Sequence, residues 1–323
     1  MRSVLDELAR YGDNPSAFLA LNGGNEFFRI PGRPGVVAYR TAGRYLVQFG
    51  GPFAPEPAYQ SLLAAFLEHA ARLRRRVVGV QLQEDDARVY ARHGFTVNQL
   101  GASYAVDLSR FTLHGAKFMR LRNKISRAQR SGLTVEQVDA EAAASELADV
   151  DAAWLAGKGR HVKALEFLVG ERTGDYQELR RVFAGRLDGR IVAYISYSPV
   201  YGRRPGWLHD LSRRRTGVPP GVMEAINVAA IERMTAEAAG WLHFGFTPFT
   251  GLDRAFEVET ASPTVSRIVD LLARHGERVY PARTQLEYKQ KWGPHAVTAD
   301  YVGFHGRPRL GAIWRLLRLT NAI

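Results

Sequence analysis

The segment GAKFMRLRNKISRAQRSG, residues 115–132, carries Lys117, Arg120, Arg122, Lys124, Arg127 and Arg130 with no acid between them. Cations at that density suit a row of phosphates, in RNA or in lipid headgroups, and such binding weakens as salt rises. On a helix, Phe118, Leu121, Ile125 and Ala128 form one apolar stripe. Lys117, Arg120, Lys124 and Arg127 flank the stripe, while Arg122, Gln129 and Arg130 lie toward the opposite side. One face can therefore dock while the other presents charge. The competing reading is a solvated surface helix whose acids come from elsewhere in the fold.

A second stretch, HDLSRRRTGVPPGVME, has the pattern strand, loop, helix and places Asp210 and Arg213 three residues apart. The plain reading of that spacing is a structural ion pair. Arg214-Arg215-Thr216-Gly217-Val218-Pro219 is the nearest approach to a loop that would hold a pyrophosphate on backbone N–H groups. Pro219 removes one of those donors, which argues against coenzyme A as a ligand. Glu224 falls early in the following helix, where the helix dipole favours an acid. LEYKQKWGP carries Lys289 and Lys291, which share one face if the segment is extended. Lys158 follows Gly157 at a helix end, where a cation is ordinary. Thr247, in FGFTPFTGL, follows a strand, with Pro248 and Gly251 suited to shape a turn.

Composition narrows the chemistry. The chain has no cysteine, so thiolate catalysis, disulfides and cysteine-ligated zinc are excluded, and the nine histidines show no metal-ligand spacing. No metal or cofactor is expected. A hydrophobic content of 46% over 323 residues supports a sizeable core. The net charge of +12 favours polyanionic partners. The N-terminus carries Asp6, Glu7 and Asp13 and lacks an apolar signal-peptide core, and no apolar run reaches 18 residues. The expected location is the cytoplasm, with a peripheral place at the inner membrane face.

The elements that must position these residues alternate. EFFRI, GVVAYRTA, RYLVQFGGPF, VVGVQL and FTVNQL have strand character. Helical spacing covers 56–75, with Leu62, Leu63, Phe66, Leu67, Ala70 and Leu73 as its apolar set, and a short helix over 84–93 stops at Gly94. After the basic segment, 140–156 suits a helix, and FAGRLDGRIVAYISYSPV suits a hairpin turning at Asp188-Gly189. GWLHDLS and WLHFGF suit strands, and 219–238 and 263–275 suit helices, the first with Pro near its start. The tail RPRLGAIWRLLRLTNAI has the pattern of a short amphipathic helix, fitted either to pack on the domain or to lie on anionic lipid. The order fits two mixed α/β units, 1–135 and 136–323, with the basic helix at their junction.

AFLAL, VVAYRTAGRYLVQFGGPFAP, LGASYAVDLSRFTLHG, LRNKISRAQRSG, WLAGKG, DLSRRRTGVPPGVMEAI, FGFTPFTGL and LEYKQKWGP occur in the order seen in a known family. The chain resembles the catalytic domain of aminoacyl-phosphatidylglycerol synthases, the multiple peptide resistance factor family. The resemblance implies an α/β fold of two tandem acetyltransferase-like (GNAT) units. It also implies transfer of an aminoacyl group from aminoacyl-tRNA, the donor substrate, to the glycerol hydroxyl of phosphatidylglycerol. Some relatives use soluble hydroxyl, hydroxylamine or amine acceptors instead. It marks Asp210, Arg213 and Lys291 as catalytic, with Lys289 the alternative to Lys291. Lys158, Glu166, Arg214, Glu224, Thr247 and Lys289 become substrate contacts, and the six cations of 117–130 become tRNA contacts. The chain departs from the family pattern at PARTQ, just before LEYKQKWGP, where the family has an Asn-Phe-Gln-Gly-like run.

Overall fold

Residues 3–158, 166–276 and 282–321 are described by a computed structural model. Ser3 caps the first helix: its hydroxyl accepts from the Asp6 N–H, and the Asp6 carboxylate accepts from the Ser3 N–H. In chain order the elements begin with α1 (Val4–Tyr11), β1 (Glu26–Phe28), β2 (Val37–Ala42), β3 (Tyr45–Phe49), α2 (Glu56–Arg72), β4 (Arg76–Leu82) and α3 (Glu84–Arg92). There follow β5 (Phe95–Asp107), α4 (Met119–Arg130), β6 (Thr134–Val138), α5 (Ala144–Ala156), β7 (Arg181–Leu187) and β8 (Arg190–Val200). The chain ends with β9 (Gly206–Arg214), α6 (Val222–Ala236), β10 (Trp241–Pro248), α7 (Pro263–His275), α8 (Ala282–Gln290), β11 (Ala296–His305) and α9 (Leu310–Leu319).

Packing divides the chain into two compact units, and the division does not fall at residue 135. The first comprises Met1–Ala105, Val200–Arg204 and Phe244–Ile323, the second Val106–Pro199 and Pro205–His243. The physical reason is β11. This strand, from the end of the chain, lies between β4 and β5 and runs antiparallel to both, so the C-terminal segment completes the first unit. In that unit β1, β2 and β3 form an antiparallel meander, and α2 carries the chain back so that β4 lies parallel to β3. The core gathers Leu46, Phe66, Tyr90, Phe95 and Val97. On α2, Leu62, Leu63, Phe66 and Ala70 are buried as the helical spacing predicts, but Leu73 stands just past the helix end and is 46% exposed.

In the second unit β6, β7 and β8 are joined antiparallel, and Trp241–His243 of β10 pair in parallel with β9 after the α6 crossover. The β7–β8 hairpin turns at Asp188-Gly189 with φ of 49° and 77°, the left-handed pair that a two-residue turn requires. Leu147, Val150, Ile191, Tyr194 and Leu211 share its core. Both units are mixed α/β sheets of the acetyltransferase-like kind that the resemblance implies.

Three elements differ from their expected form. Helix α5 begins at Ala144 rather than 140, because the Asp139 carboxylate accepts from the Glu141 and Ala142 N–H groups and holds them in a turn. Pro219 precedes α6, which starts at Val222. Lys289 lies on a helix, α8, and Lys291 just past its end, so extended spacing does not govern them. Pro281, the first residue of PARTQ, and Gly159, the last of WLAGKG, lie outside the described residues.

The basic helix α4 belongs to the second unit rather than to a junction. Leu121, Ile125 and Ala128 are buried, with Phe118 buried in the turn before it, while Lys117, Arg120, Lys124, Arg127 and Arg130 are exposed. The stripe therefore carries most of the helix's stability, and the exposed Lys117, Arg120, Arg127 and Arg130 do not. Ile125→Ala is expected to cost about 2–5 kcal/mol in urea unfolding. Arg127→Ala is expected to stay within about 0.5 kcal/mol of the parent.

Candidate functional site

In the second unit, Asp210 sits on β9 with its side chain fully buried, paired with the equally buried Arg180. The anticipated partner Arg213, three residues along the strand, points elsewhere. The Gly170 N–H donates to the Asp210 carbonyl, 3.0 Å away. A Cβ on Gly170 would stand 2.6–2.8 Å from the Asp210 carboxyl atoms, so the close approach there requires glycine. Burial pushes the Asp210 carboxyl above its ordinary range, against the pull of Arg180 and of the Ser198 and Ser196 hydroxyls. Asp210 is thus placed to fix Arg180 rather than to meet solvent.

Arg213 takes part in a second group. Its guanidinium lies 3.9 Å from the centre of the Trp154 ring and 4.0 Å from Asp151 Oδ1. Asp151 also accepts from Arg172 Nε at 2.7 Å and from the Tyr194 hydroxyl. Burial lowers the Arg213 pKa and raises that of Tyr194. Lys158 approaches the same Trp154 ring, its Nζ 5.4 Å from the centre, so an expected catalytic residue, Arg213, and an expected substrate contact, Lys158, share one aromatic support. Arg214 is exposed at the end of β9, and Glu166 is exposed as well.

Two of the six α4-segment cations already have work inside the fold. Lys124 Nζ is 3.8 Å from Glu224 Oε1, and that carboxylate occupies the first turn of α6. Arg122 donates to the carbonyls of Leu113 and of Gly115, the latter at 2.9 Å, and pins the turn before its own helix. Lys117, Arg120, Arg127 and Arg130 have no acid within ion-pair distance among the described residues.

In the first unit, α8 carries Lys289 into the interior, where it is 6% exposed. Its Nζ donates to the carbonyls of Gly245 and Phe246 at 2.8 and 3.0 Å and lies 6.0 Å from the Tyr104 ring. Burial lowers its pKa to about 7, against the opposing effect of the Asp300 carboxylate. Asp300, on β11, is itself buried, and desolvation raises it to about 7 although Ser103, Gln83 and Lys289 all favour its charged form. Gln83 Nε2 donates to Asp300 Oδ1 at 2.8 Å. Thr247, next to the two carbonyls that hold Lys289, is fully buried, and its hydroxyl has no hydrogen-bond partner among the described residues. The Thr247 carbonyl lies so close to Gly101 that a Cβ there would stand 2.2 Å from it. Lys291 is half-buried, with Nζ 3.9 Å from the Tyr288 ring centre.

The structure thus brings Lys289 together with Thr247 in the first unit, and Arg213 with Lys158 in the second. Asp210 and the two lysines of LEYKQKWGP belong to different units. Sequence reading missed Arg180, Asp151, Tyr194 and Asp300. Of these only Asp300 left a trace, as a lone acid inside the strand pattern AVTADYVGF. No group of three or more metal-ligating side chains occurs among the described residues.

A lysine poised near neutrality can give and regain a proton, and a guanidinium held on an aromatic face can meet an anion. Known proteins resemble the chain over most of its length. Residues 5–303 match the family model described as phosphatidylglycerol lysyltransferase, C-terminal. The chain is 27% identical over 289 residues to a phosphatidylglycerol lysyltransferase of Bacillus subtilis, covering 88% of this chain and 32% of that protein. A relative of the same name in Staphylococcus haemolyticus is 24% identical over 295 residues, covering 88% and 33%. The chain therefore spans about a third of the length of the curated relatives it matches. The solved structure of L-PGS from Bacillus licheniformis shares the fold at a TM-score of 0.79 and 22% identity, covering 99% of this chain and 96% of that one.

The buried pair of the second unit yields a direct test. Arg180→Met leaves the Asp210 carboxylate buried without its cation and is expected to cost about 3–5 kcal/mol at pH 8. The native-state pKa of Asp210 then rises further above its unfolded value. The loss should therefore shrink as pH falls toward 5, where the buried carboxyl takes up a proton. Adding Asp210→Asn should recover most of the stability at pH 8, measured by denaturant unfolding at both pH values.

Proposed function

The chain belongs to the phosphatidylglycerol lysyltransferase C-terminal family, and from that premise we propose that it is a tRNA-dependent aminoacyltransferase whose acceptor is the glycerol hydroxyl of phosphatidylglycerol. The observation that supports this reading most is Lys289: a buried ammonium, held by two carbonyls and lowered to about pH 7, in the lysine segment that the family resemblance marks.

The reaction needs little beyond positioning. The ester to the tRNA ribose is already activated, so neither ATP nor a metal has to supply energy. The acceptor oxygen attacks the aminoacyl carbonyl carbon, the carbonyl becomes an oxyanion, and the bond to the ribose oxygen breaks. The proton lost by the acceptor hydroxyl balances the one gained by the ribose oxygen. Lys289 in its charged form stabilises the oxyanion and gives the leaving oxygen its proton. Asp300 acts through Lys289 by favouring the charged form, and Thr247, buried beside the two carbonyls, helps to position them. Arg213, steadied by Trp154 and Asp151, and Lys158 meet phosphate. Lys117, Arg120, Arg127 and Arg130 track the tRNA backbone, while Lys124 and Arg122 chiefly hold the helix and its approach in place.

Labelled aminoacyl-tRNA, incubated with the chain and vesicles of phosphatidylglycerol, gives the test. Label is expected in the lipid fraction; label only in aqueous products would move the acceptor to a soluble molecule. Lys289→Met is expected to lower kcat by about 100-fold or more with tRNA binding retained. Because the charged lysine does the work, transfer should fall as pH rises through about 7. Asp300→Asn removes the neighbour that raises the lysine pKa, so the same limb should move to lower pH.

The tRNA surface is tested separately. Replacing Arg120, Arg127 and Arg130 singly by Ala should weaken tRNA binding without regard to its sequence. Each change should reduce the slope of log K against log salt by about one. Filter binding between low and moderate salt measures it, and unchanged slopes in all three variants would remove α4 from the tRNA interface.

A further inference from the structure

The first unit carries a second basic surface, and it differs from α4 in being partly apolar. Helix α9 has two faces. Ala312 is buried, with Thr320 buried two turns further on and Leu316 half-buried between them, and this row turns inward against β2 and β3. Leu310, Trp314 and Leu317 occupy the i, i+4 and i+7 places of another row. Of these Leu310 is 80% exposed and Trp314 55%, among the largest apolar exposures on the chain.

Arginines surround this row. Just before α9, a hollow of about 370 Å³ is lined by Arg76, Gly94, His305, Gly306, Arg307 and Arg309, with no carboxylate in its wall. Arg76 also raises the local positive potential felt by His305, whose pKa falls through burial first and then through this neighbour. On the other side, the Arg315 guanidinium lies against Gly43 in the β2–β3 turn. Arg76 pairs with Tyr45 across β3 and β4, and Tyr45 in turn lies beside Gly311 of α9. Exposed Leu73 and its neighbours Arg72, Arg74 and Arg75 immediately precede Arg76 in the chain. None of Arg76, Arg307, Arg309, Arg315 and Arg318 has an acid within ion-pair distance among the described residues.

We propose that this end of the first unit, α9 with the arginine hollow beside it, is a docking surface for an anionic bilayer. Trp314 and Leu310 enter the interface between headgroups and acyl chains, and the hollow takes a lipid phosphate. Charge complementarity selects this occupant. A row of unpaired arginines attracts any polyanion, but only a bilayer offers apolar depth to a tryptophan and a leucine beside them. A neutral protein groove would leave the arginines unpaired, and RNA would leave the leucine in water. The inference needs no transfer activity. It stands or fails on binding alone, and failure of the transferase reading would leave it intact.

Sedimentation with vesicles tests it on the full chain, without tRNA. Vesicles of phosphatidylcholine with roughly 30 mol% phosphatidylglycerol should capture the chain, and pure phosphatidylcholine should not, because basic side chains are drawn to an anionic surface. Leu310→Ser with Trp314→Ser should weaken partitioning about tenfold. Arg307→Glu with Arg309→Glu should weaken it at least as much, and the parent's binding should fall in high salt. These side chains are exposed, so unfolding midpoints should match the parent; a variant that loses its midpoint is replaced by Trp314→Ala alone, expected to weaken binding severalfold. Equal capture by neutral and anionic vesicles would overturn the proposal. So would unchanged vesicle binding by the serine pair or by the glutamate pair.

Discussion

An ammonium group cannot be placed in a protein interior without groups that replace its water. Lys289 meets that requirement with two carbonyl oxygens, from Gly245 and Phe246, and with the negative potential of Asp300. Much of the first unit's architecture follows from supplying those three groups. The carbonyls come from the end of β10, the carboxylate from β11, and the lysine from α8, all late in the chain. The sheet accordingly leaves β4 and β5 unpaired with each other and seats β11 between them. Gln83, just past the end of β4, donates to Asp300 and helps to fix the carboxylate. Lys289 and Asp300 are each displaced toward neutrality by burial and toward charge by the other.

Much of this was legible in the residues, and the parts that were not share a cause. Period and punctuation located α2, α3, the β7–β8 hairpin and α7, because a 3.6-residue or two-residue apolar period survives whatever the chain packs against. The stripe Phe118, Leu121, Ile125 and Ala128 was readable for the same reason. Long-range pairing has no such local signature. That Asp210 would meet Arg180 rather than Arg213 depends on β9 being a strand, where residues three apart point to opposite faces. Lys289 and Lys291 were indistinguishable under extended spacing. On a helix and just past its end they diverge, one into the core and one onto the Tyr288 ring. β11 was invisible as a sheet member because its partners lie some two hundred residues earlier.

Charge counting also misleads about function unless partners are subtracted. The six cations from Lys117 to Arg130 look equivalent in the sequence, yet Lys124 faces Glu224 and Arg122 is spent on backbone carbonyls. Asp151 works the opposite way. A single carboxylate gathers Arg172, Arg213 and Tyr194, and so fixes the direction in which Arg213 offers its charge. Holding a guanidinium on a ring and against one carboxylate removes rotamer freedom before any ligand arrives, which lowers the entropic cost of binding an anion there.

The two basic surfaces show why net charge alone cannot name a partner. Both α4 and α9 present arginines without nearby acids, and a chain of net charge +12 would draw RNA and lipid alike to either. What separates them is the company the charges keep. On α4 the apolar residues of the stripe are buried, and Met119 is its large exposed apolar side chain. On α9 the charges border a leucine and a tryptophan that the fold leaves in water, while Ala312 on another row is buried. Exposing large apolar groups beside unpaired cations gains nothing for the isolated domain. It becomes favourable when one partner satisfies both at once, and an anionic bilayer, with phosphate at its surface and hydrocarbon beneath, has that arrangement.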